Sequence, residues 1–271
     1  MIVKYVNSKG VEVNLNKGQY KLLVSDLLDY EWEVLKSSNR ISGFEKKVSE
    51  RTINIDIFKN SNKTARQLMN ELSDVFETDI ANQIPGKLYI DNNYMPCYIF
   101  ASEKGNWETD IMVVCEYKLV TDKPFWVSEI SKSFSKSGGD KVDNFDYPYG
   151  YPYDYSAKIK TNNIENNGYM NADFKLIMYG PVVNPLVEID GKTYQIITDV
   201  KDGEYVVIDS LEHVVEQVDN VGNVANKYNS RNKSWNIFEK IKPGVNSFIW
   251  SGEFGVDIVL YVQRSEPKWS L

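Results

Sequence analysis

Only one histidine and two cysteines occur in 271 residues, and that scarcity bears on several chemistries at once. A Ser-His-Asp or Cys-His site would have to use His213. A four-ligand zinc site would need carboxylates beside His213, Cys97 and Cys115. Two cysteines make no disulfide framework in a chain large enough to build cores without staples; Cys97 and Cys115 read as small buried hydrophobes on neighbouring strands. Basic charge is also short. Lys and Arg number 31 against 38 Asp and Glu, a net charge of −7, the wrong balance for a protein that tracks nucleic-acid phosphates. No window approaches the ~18 apolar residues that a membrane helix requires. The opening Met1-Ile2-Val3-Lys4-Tyr5-Val6 lacks the basic region and long apolar run of a signal peptide. The expectation is a chain made in a reducing cytoplasm, with no membrane insertion.

Aromatic residues, by contrast, make up 13% of the sequence, 18 of them tyrosine, a composition that leans toward sheets and interfaces. At about 150 residues per domain, the length points to two domains. The first, residues 1–127, reads as mainly β with one inserted helix. Ile53, Ile55 and Ile57 alternate with Asn54 and Asp56, the period of a half-buried strand. Val113, Cys115, Tyr117 and Leu119 mark one face of a second strand. Between them the helix is expected at about 64–80. Leu68, Met69, Leu72, Val75, Phe76 and Ile80 form its apolar stripe, and Thr64 with Gln67 suits a capping box, with Ser61 or Asn62 as alternative caps.

Residues 128–155 read as linker and seam. Ser131 to Asp140 is rich in Ser, Lys and Gly, and Tyr-Pro-Tyr follows twice: Tyr147, Pro148 and Tyr149, then Tyr151, Pro152 and Tyr153. Each proline removes a backbone donor and fixes φ, so the segment is extended and edge-like. Residues 156–271 read as a β-sandwich or jelly roll. Phe174, Leu176 and Met178 alternate with Lys175, Ile177 and Tyr179, Val187 to Ile196 is a hairpin with an Asp190-Gly191 turn, and Val256, Ile258, Leu260 and Val262 close the pattern.

Gly191-Lys192-Thr193 imitates the end of a phosphate loop, but it lies in a hairpin turn and Leu186 stands where the first glycine belongs. No cofactor or metal signature is present. Glycoside hydrolysis needs only two carboxylates and aromatic platforms, which 38 acids supply without singling any out. Trp235 and Trp250 are candidate contacts for a carbohydrate or a partner; a carbohydrate-binding protein that aids adsorption to a cell wall is therefore a second functional reading.

The run Phe145-Asp146-Tyr147-Pro148-Tyr149-Gly150-Tyr151-Pro152-Tyr153-Asp154-Tyr155 resembles the aromatic-proline-aromatic segment of phage distal tail proteins. Four further motifs follow that family's order: Asp122-Lys123-Pro124-Phe125-Trp126, Gly180-Pro181-Val182-Val183-Asn184-Pro185, Pro243-Gly244-Val245-Asn246-Ser247-Phe248 and Arg264-Ser265-Glu266-Pro267-Lys268-Trp269. Lys123 is inserted relative to the family pattern, and Gly150 replaces an acidic residue. The resemblance implies a structural virion protein of a phage or prophage, located at the tail tip. It implies an N-terminal β-sandwich or split-barrel domain that closes a homohexameric ring, and a galectin-like or jelly-roll C-terminal sandwich. Implied partners are the tail tube protein and tail-fibre or receptor-binding proteins, with DNA as cargo through the channel. No catalytic residue, cofactor or metal is implied.

Overall fold

Burial follows the alternation. Ile53, Ile55 and Ile57 are fully buried and lie opposite Tyr117, Cys115 and Val113 across an antiparallel pair, so two period-two faces meet in one core. The computed structural model describes residues 1–105, 110–136 and 160–267. The chain divides into two units, Met1–Ser128 together with the residues from Gln263 onward, and Glu129–Val262.

The N-terminal unit runs β1 (Val3–Val6), β2 (Glu12–Asn14), β3 (Tyr20–Ser25), β4 (Glu33–Ser37), β5 (Arg40–Glu45), β6 (Ser49–Phe58), α1 (Ala65–Asn82), β7 (Gly86–Ile90), β8 (Asn93–Lys104), β9 (Met112–Thr121) and the start of β10 (Trp126–Phe134). Two antiparallel strand runs, β2-β1-β7-β8 and β3-β6-β9-β8, share β8. Its first half pairs with β7 and its second half with β9. Strands β4 and β5 form a separate two-stranded hairpin.

Helix α1 begins where the sequence places it. The Thr64 hydroxyl accepts from the Gln67 backbone N–H, and the Gln67 side chain accepts from the Thr64 N–H, which satisfies two of the orphan donors of the first turn. The Asn60 carboxamide organises the preceding turn by accepting from the N–H groups of Asn62 and Lys63, so neither Ser61 nor Asn62 is the cap. At the other end Gln83 takes a left-handed φ of 55° and stops the helix. The apolar stripe needs one correction. The buried residues are Ala65, Leu68, Leu72, Phe76 and Asp79, whereas Ile80 stays exposed.

Asp79 tolerates burial because its partners are fixed. Its Oδ2 accepts from the Tyr5 hydroxyl at 2.6 Å and its Oδ1 from the Ser8 N–H at 2.6 Å. Burial and the adjacent carboxylate push the Tyr5 phenol far above its ordinary range, so it remains a donor at neutral pH. Gly86 completes the node, since a methyl group there would overlap both Tyr5 Oη and Asp79 Oδ2. Above it, the Phe76 ring makes edge contacts with Tyr5 at 5.1 Å and Tyr117 at 5.2 Å.

The second unit continues with β11 (Lys160–Asn166), β12 (Asp173–Tyr179), β13 (Val182–Val183), β14 (Leu186–Ile189), β15 (Lys192–Gln195), β16 (Asp199–Val200), β17 (Tyr205–Asp209), β18 (Val214–Val218), β19 (Val224–Asn226), β20 (Gly244–Trp250) and β21 (Val256–Arg264). One antiparallel run is β19-β18-β17-β12-β21 and another is β11-β20-β14-β15. Phe174, Leu176, Ile208 and Ile258 from the first share one core with Val187, Tyr194, Phe248 and Trp250 from the second. This is a β-sandwich, and the described residues as a whole are mainly β with one α-helix. Asp190 and Gly191 both have positive φ, 48° and 76°, the twist that a two-residue hairpin turn demands.

The first unit ends at Ser128, one residue from the expected 127/128 break, whereas a strand enters the expected 128–155 linker. Strand β10 continues through Ser131, Lys132 and Ser133 to Phe134, whose ring stacks on Phe248 at 4.2 Å and 7°. A polar strand capped by one buried aromatic has the composition of a linker, and that concealed it. Residues from Gln263 onward group with the first unit, not with 156–262.

Replacing Tyr5 by Phe deprives the buried Asp79 carboxylate of a donor and should destabilise the N-terminal unit by about 1.5–3 kcal/mol. Asp79→Ala should cost more, because it also orphans the Ser8 N–H. Hydrogen exchange at the amides of β1 and β7 in a urea series measures both; unchanged protection in Tyr5→Phe would show that the node carries no weight.

Candidate interaction surfaces

The β4–β5 hairpin exposes the apolar side chains that an isolated sheet can least afford to leave in water. Every residue of β4 is exposed, and so is every residue of β5 except Gly43. Val34 pairs across the ladder with Phe44, and Phe44 and Ile41 are 58% and 62% exposed. A lone two-stranded hairpin is marginal in water, and clustered exposed apolar residues mark contact surfaces. The turn, Ser37-Ser38-Asn39-Arg40, places Ser38 at a positive φ of 53°.

The base of this hairpin is clamped. Lys46 Nζ stands 5.3, 5.2 and 4.6 Å from the ring centroids of Tyr30, Trp32 and Phe125 and donates to the Pro124 carbonyl at 3.0 Å. Trp32 and Phe125 meet edge-on at 5.8 Å, and Lys47 pairs with Glu33 across the strand ends. Beside the clamp opens a cleft of about 720 Å³ lined by Trp32, Val34, Val48, Arg51 and Pro124. Burial, followed by the charge of Arg51, pulls the Lys46 amine down to about 8, although the rings and the carbonyl favour the cation. The Asp122-to-Trp126 motif thus supplies the Pro124 carbonyl and the Phe125 ring to the clamp, while Trp126 is buried in the core.

A second surface opens between α1 and the second half of β8. Phe100 is the extra residue of a bulge, since Ile99 faces Leu119 and Ala101 faces Lys118. A bulge re-aims a side chain out of the ladder, and Phe100 is 45% exposed. It lines a groove of about 390 Å³ with Ser73, Phe76, Glu77, Ile80, Ala81 and Tyr117.

The candidates from the second unit separate. Trp250 is 3% exposed, and its indole N–H donates to the Phe254 carbonyl at 3.1 Å. A ring buried in the sandwich core offers no face to a sugar, so Trp250 is not a contact residue. Trp235 is 52% exposed. Near it in sequence, the Arg231 guanidinium lies over the Tyr228 ring at 3.8 Å, and Tyr228 stacks against Phe238 at 6.0 Å. His213 is exposed in the turn after β17, with its ring 5.0 Å from Phe238. Tyr147, Pro148, Tyr149, Tyr151, Pro152 and Tyr153 lie outside the described residues. Cys97 and Cys115 are both buried and unbridged, and burial pushes the Cys97 thiol up to about 12. Among the described residues, no three His, Cys, Asp or Glu side chains stand together as metal ligands do.

No family model and no curated protein matches the chain. Solved structures do. The SPP1 Dit protein (gp 19.1), described as a paradigm of the hub adsorption apparatus in phages infecting Gram-positive hosts, superposes with a TM-score of 0.60 at 8% identity, covering 97% of this chain and 100% of that one. A chain of the phage P2 baseplate in its activated conformation with Ca gives 0.63 at 12% identity over 98% and 100%. The Sr form of the p2 baseplate gives the same score and identity. The chain has a phage distal-tail-protein fold. The fold likeness covers 97–98% of the chain and so spans both units. The surfaces that sequence reasoning missed, the hairpin and the bulged Phe100, lie outside the five sequence motifs. The signal that could have found the hairpin is the turn-forming Ser37-Ser38-Asn39 set between Val34-Leu35 and Ile41.

The clamp has a pH signature. An unfolded lysine holds its proton up to about 10.5 and Lys46 in the folded chain only to about 8, so between those values the unfolded state binds more protons and stability rises with pH. Relative to Lys46→Met, the wild-type chain should therefore gain stability from pH 8 to 10.5 and show no relative change below pH 7. Urea midpoints of the two proteins across that range measure it.

Proposed function

We propose that this protein is a structural hub of a phage or prophage tail tip, joining the tail tube to the adhesion apparatus as a six-membered ring. The observation that carries the reading is the likeness of the whole chain, both units in order, to SPP1 Dit and to a chain of the P2 baseplate. In this role the N-terminal unit closes the ring around the channel, and the sandwich carries the tail-fibre or receptor-binding proteins. Rings of identical chains require heterologous contacts whose rotation closes. Such contacts need two different sticky surfaces on one chain, and the hairpin and the groove are two such surfaces.

The work asked of the chain is positional rather than catalytic. The clamp on Lys46 and the node on Asp79 both fix elements of the fold and present no nucleophile–base pair to a substrate. DNA is cargo, and a net charge of −7 disfavours its retention by counterion release. Sugar binding by the outer sandwich is the weaker reading, because one of its two candidate rings, Trp250, is buried.

Light scattering over a concentration series, with negative-stain images of the largest species, is expected to give a closed ring of about six copies with a central opening. A chain that stays monomeric at high concentration, and also when mixed with tail tubes of its own virion, would overturn the hub reading.

A further inference from the structure

The hairpin and the groove are two separate surfaces of the N-terminal unit. In the order β3-β6-β9-β8, the β4–β5 hairpin is the connection between β3 and β6, whereas the groove opens at β8, the far strand. Beyond Tyr98, β8 has β9 on one side and, among the described residues, no strand on the other. A protruding apolar hairpin and an apolar groove beside an open strand can serve as the two halves of a head-to-tail contact.

Their charges are complementary. The hairpin tip carries Lys36 and Arg40, both exposed. The groove is lined by Glu77, with Asp74 one turn earlier on α1. The apolar parts also fit a common occupant: Ile41, Val34 and Phe44 protrude from the hairpin, and Ile80 and Phe100 line the groove. Both surfaces are composed like an interface core with a charged rim.

We infer that the β4–β5 hairpin of one copy docks in the α1–β8 groove of the next, with Ile41 and Phe44 against Ile80 and Phe100, and Lys36 and Arg40 facing Asp74 and Glu77. The inference rests on the hub reading for the closure of the ring, but the pairwise contact is testable without it. The occupant is a second copy of this chain, since both halves are present on each copy, their charges are complementary, and neither is covered by the described residues of its own fold.

Two full-length single variants, Ile41→Cys and Ile80→Cys, provide the test. The native Cys97 and Cys115 are buried and do not compete for disulfide exchange. Mixed in equal amounts under mild oxidation, the two variants should give a disulfide-linked heterodimer on non-reducing gels, while neither variant alone gives a dimer. Reversing the tip charges, Lys36→Glu with Arg40→Glu, should lower the heterodimer yield about two- to fivefold, and adding Glu77→Lys to the partner should restore part of it.

Dimers from Ile41→Cys alone would mean a hairpin-to-hairpin contact and would overturn the inference. The inference also falls if no heterodimer forms while the wild-type chain assembles into rings; the hub reading then stands, and the hairpin serves a different protein of the tail. A heterodimer without rings, in the presence of tail tubes as well, leaves the contact established and removes the closed hexamer. If neither heterodimer nor ring forms, the inference falls, and the hub reading falls with it when tail tubes of the same virion also fail to template a ring. Circular dichroism of each variant, expected to match the wild type because both positions are exposed, separates loss of contact from loss of fold.

Discussion

A carboxylate with no access to water fixes the N-terminal unit. Asp79 is the residue at which α1 would naturally place an isoleucine or leucine, and it is held there by the Tyr5 hydroxyl and the Ser8 N–H. An unpaired carboxylate in that position would be prohibitive to bury. The helix is therefore locked in rotation and along its axis against β1 and β7, because no other placement satisfies the charge. Gly86, with no side chain, is what allows the three groups to meet. That rotation in turn leaves Ile80 outside the core and turns it toward the groove beside Phe100. Hydrophobic packing by Leu68, Leu72 and Phe76 stabilises the helix; the polar node decides which face the rest of it shows.

The hairpin solves a different problem. Its strands have no sheet to join, and its apolar side chains have no core of their own to enter. What holds it is the cluster at its base, where Lys46 bridges three rings and a backbone carbonyl. The cost of that arrangement is visible in the lysine itself, whose proton is held less tightly than in water because burial outweighs the attraction of the rings. A stiff base beneath exposed apolar strands leaves little conformational freedom to lose on docking, which is how preorganised contacts raise affinity without added area.

Much of the fold was legible because it follows local rules. The capping box at Thr64 and Gln67, the isoleucine alternation of β6 and the Asp190-Gly191 turn each have one economical reading, and the chain adopts it. Legibility failed where tertiary context overrides composition. Ser131, Lys132 and Ser133 read as linker because the information that makes them a strand is Phe134, which acquires meaning only against Phe248 over a hundred residues later. Trp250 reads as a platform on chemistry alone, and only the sandwich reveals that its indole faces inward. The buried Asp79 was invisible for the same reason: a carboxylate in a helical stripe looks like a solvated position until Tyr5 and Gly86 are brought to it.

The interaction surfaces show a further limit. Core positions announce themselves by periodicity, because each must alternate with something polar. Contact surfaces obey no such period. Phe100 belongs to a strand whose alternation it breaks, and Ile41 and Phe44 belong to strands exposed on both sides. At 8–12% identity to SPP1 Dit and the P2 baseplate chain, the fold has survived almost complete replacement of residues, as expected when patterning and volume suffice to specify a core. An interface between copies of one chain is under a different constraint. Its two halves must remain complementary to each other and to nothing else, so they drift together and retain no signature in either half alone. The residues that carry the assembly are thereby the ones a single sequence discloses least.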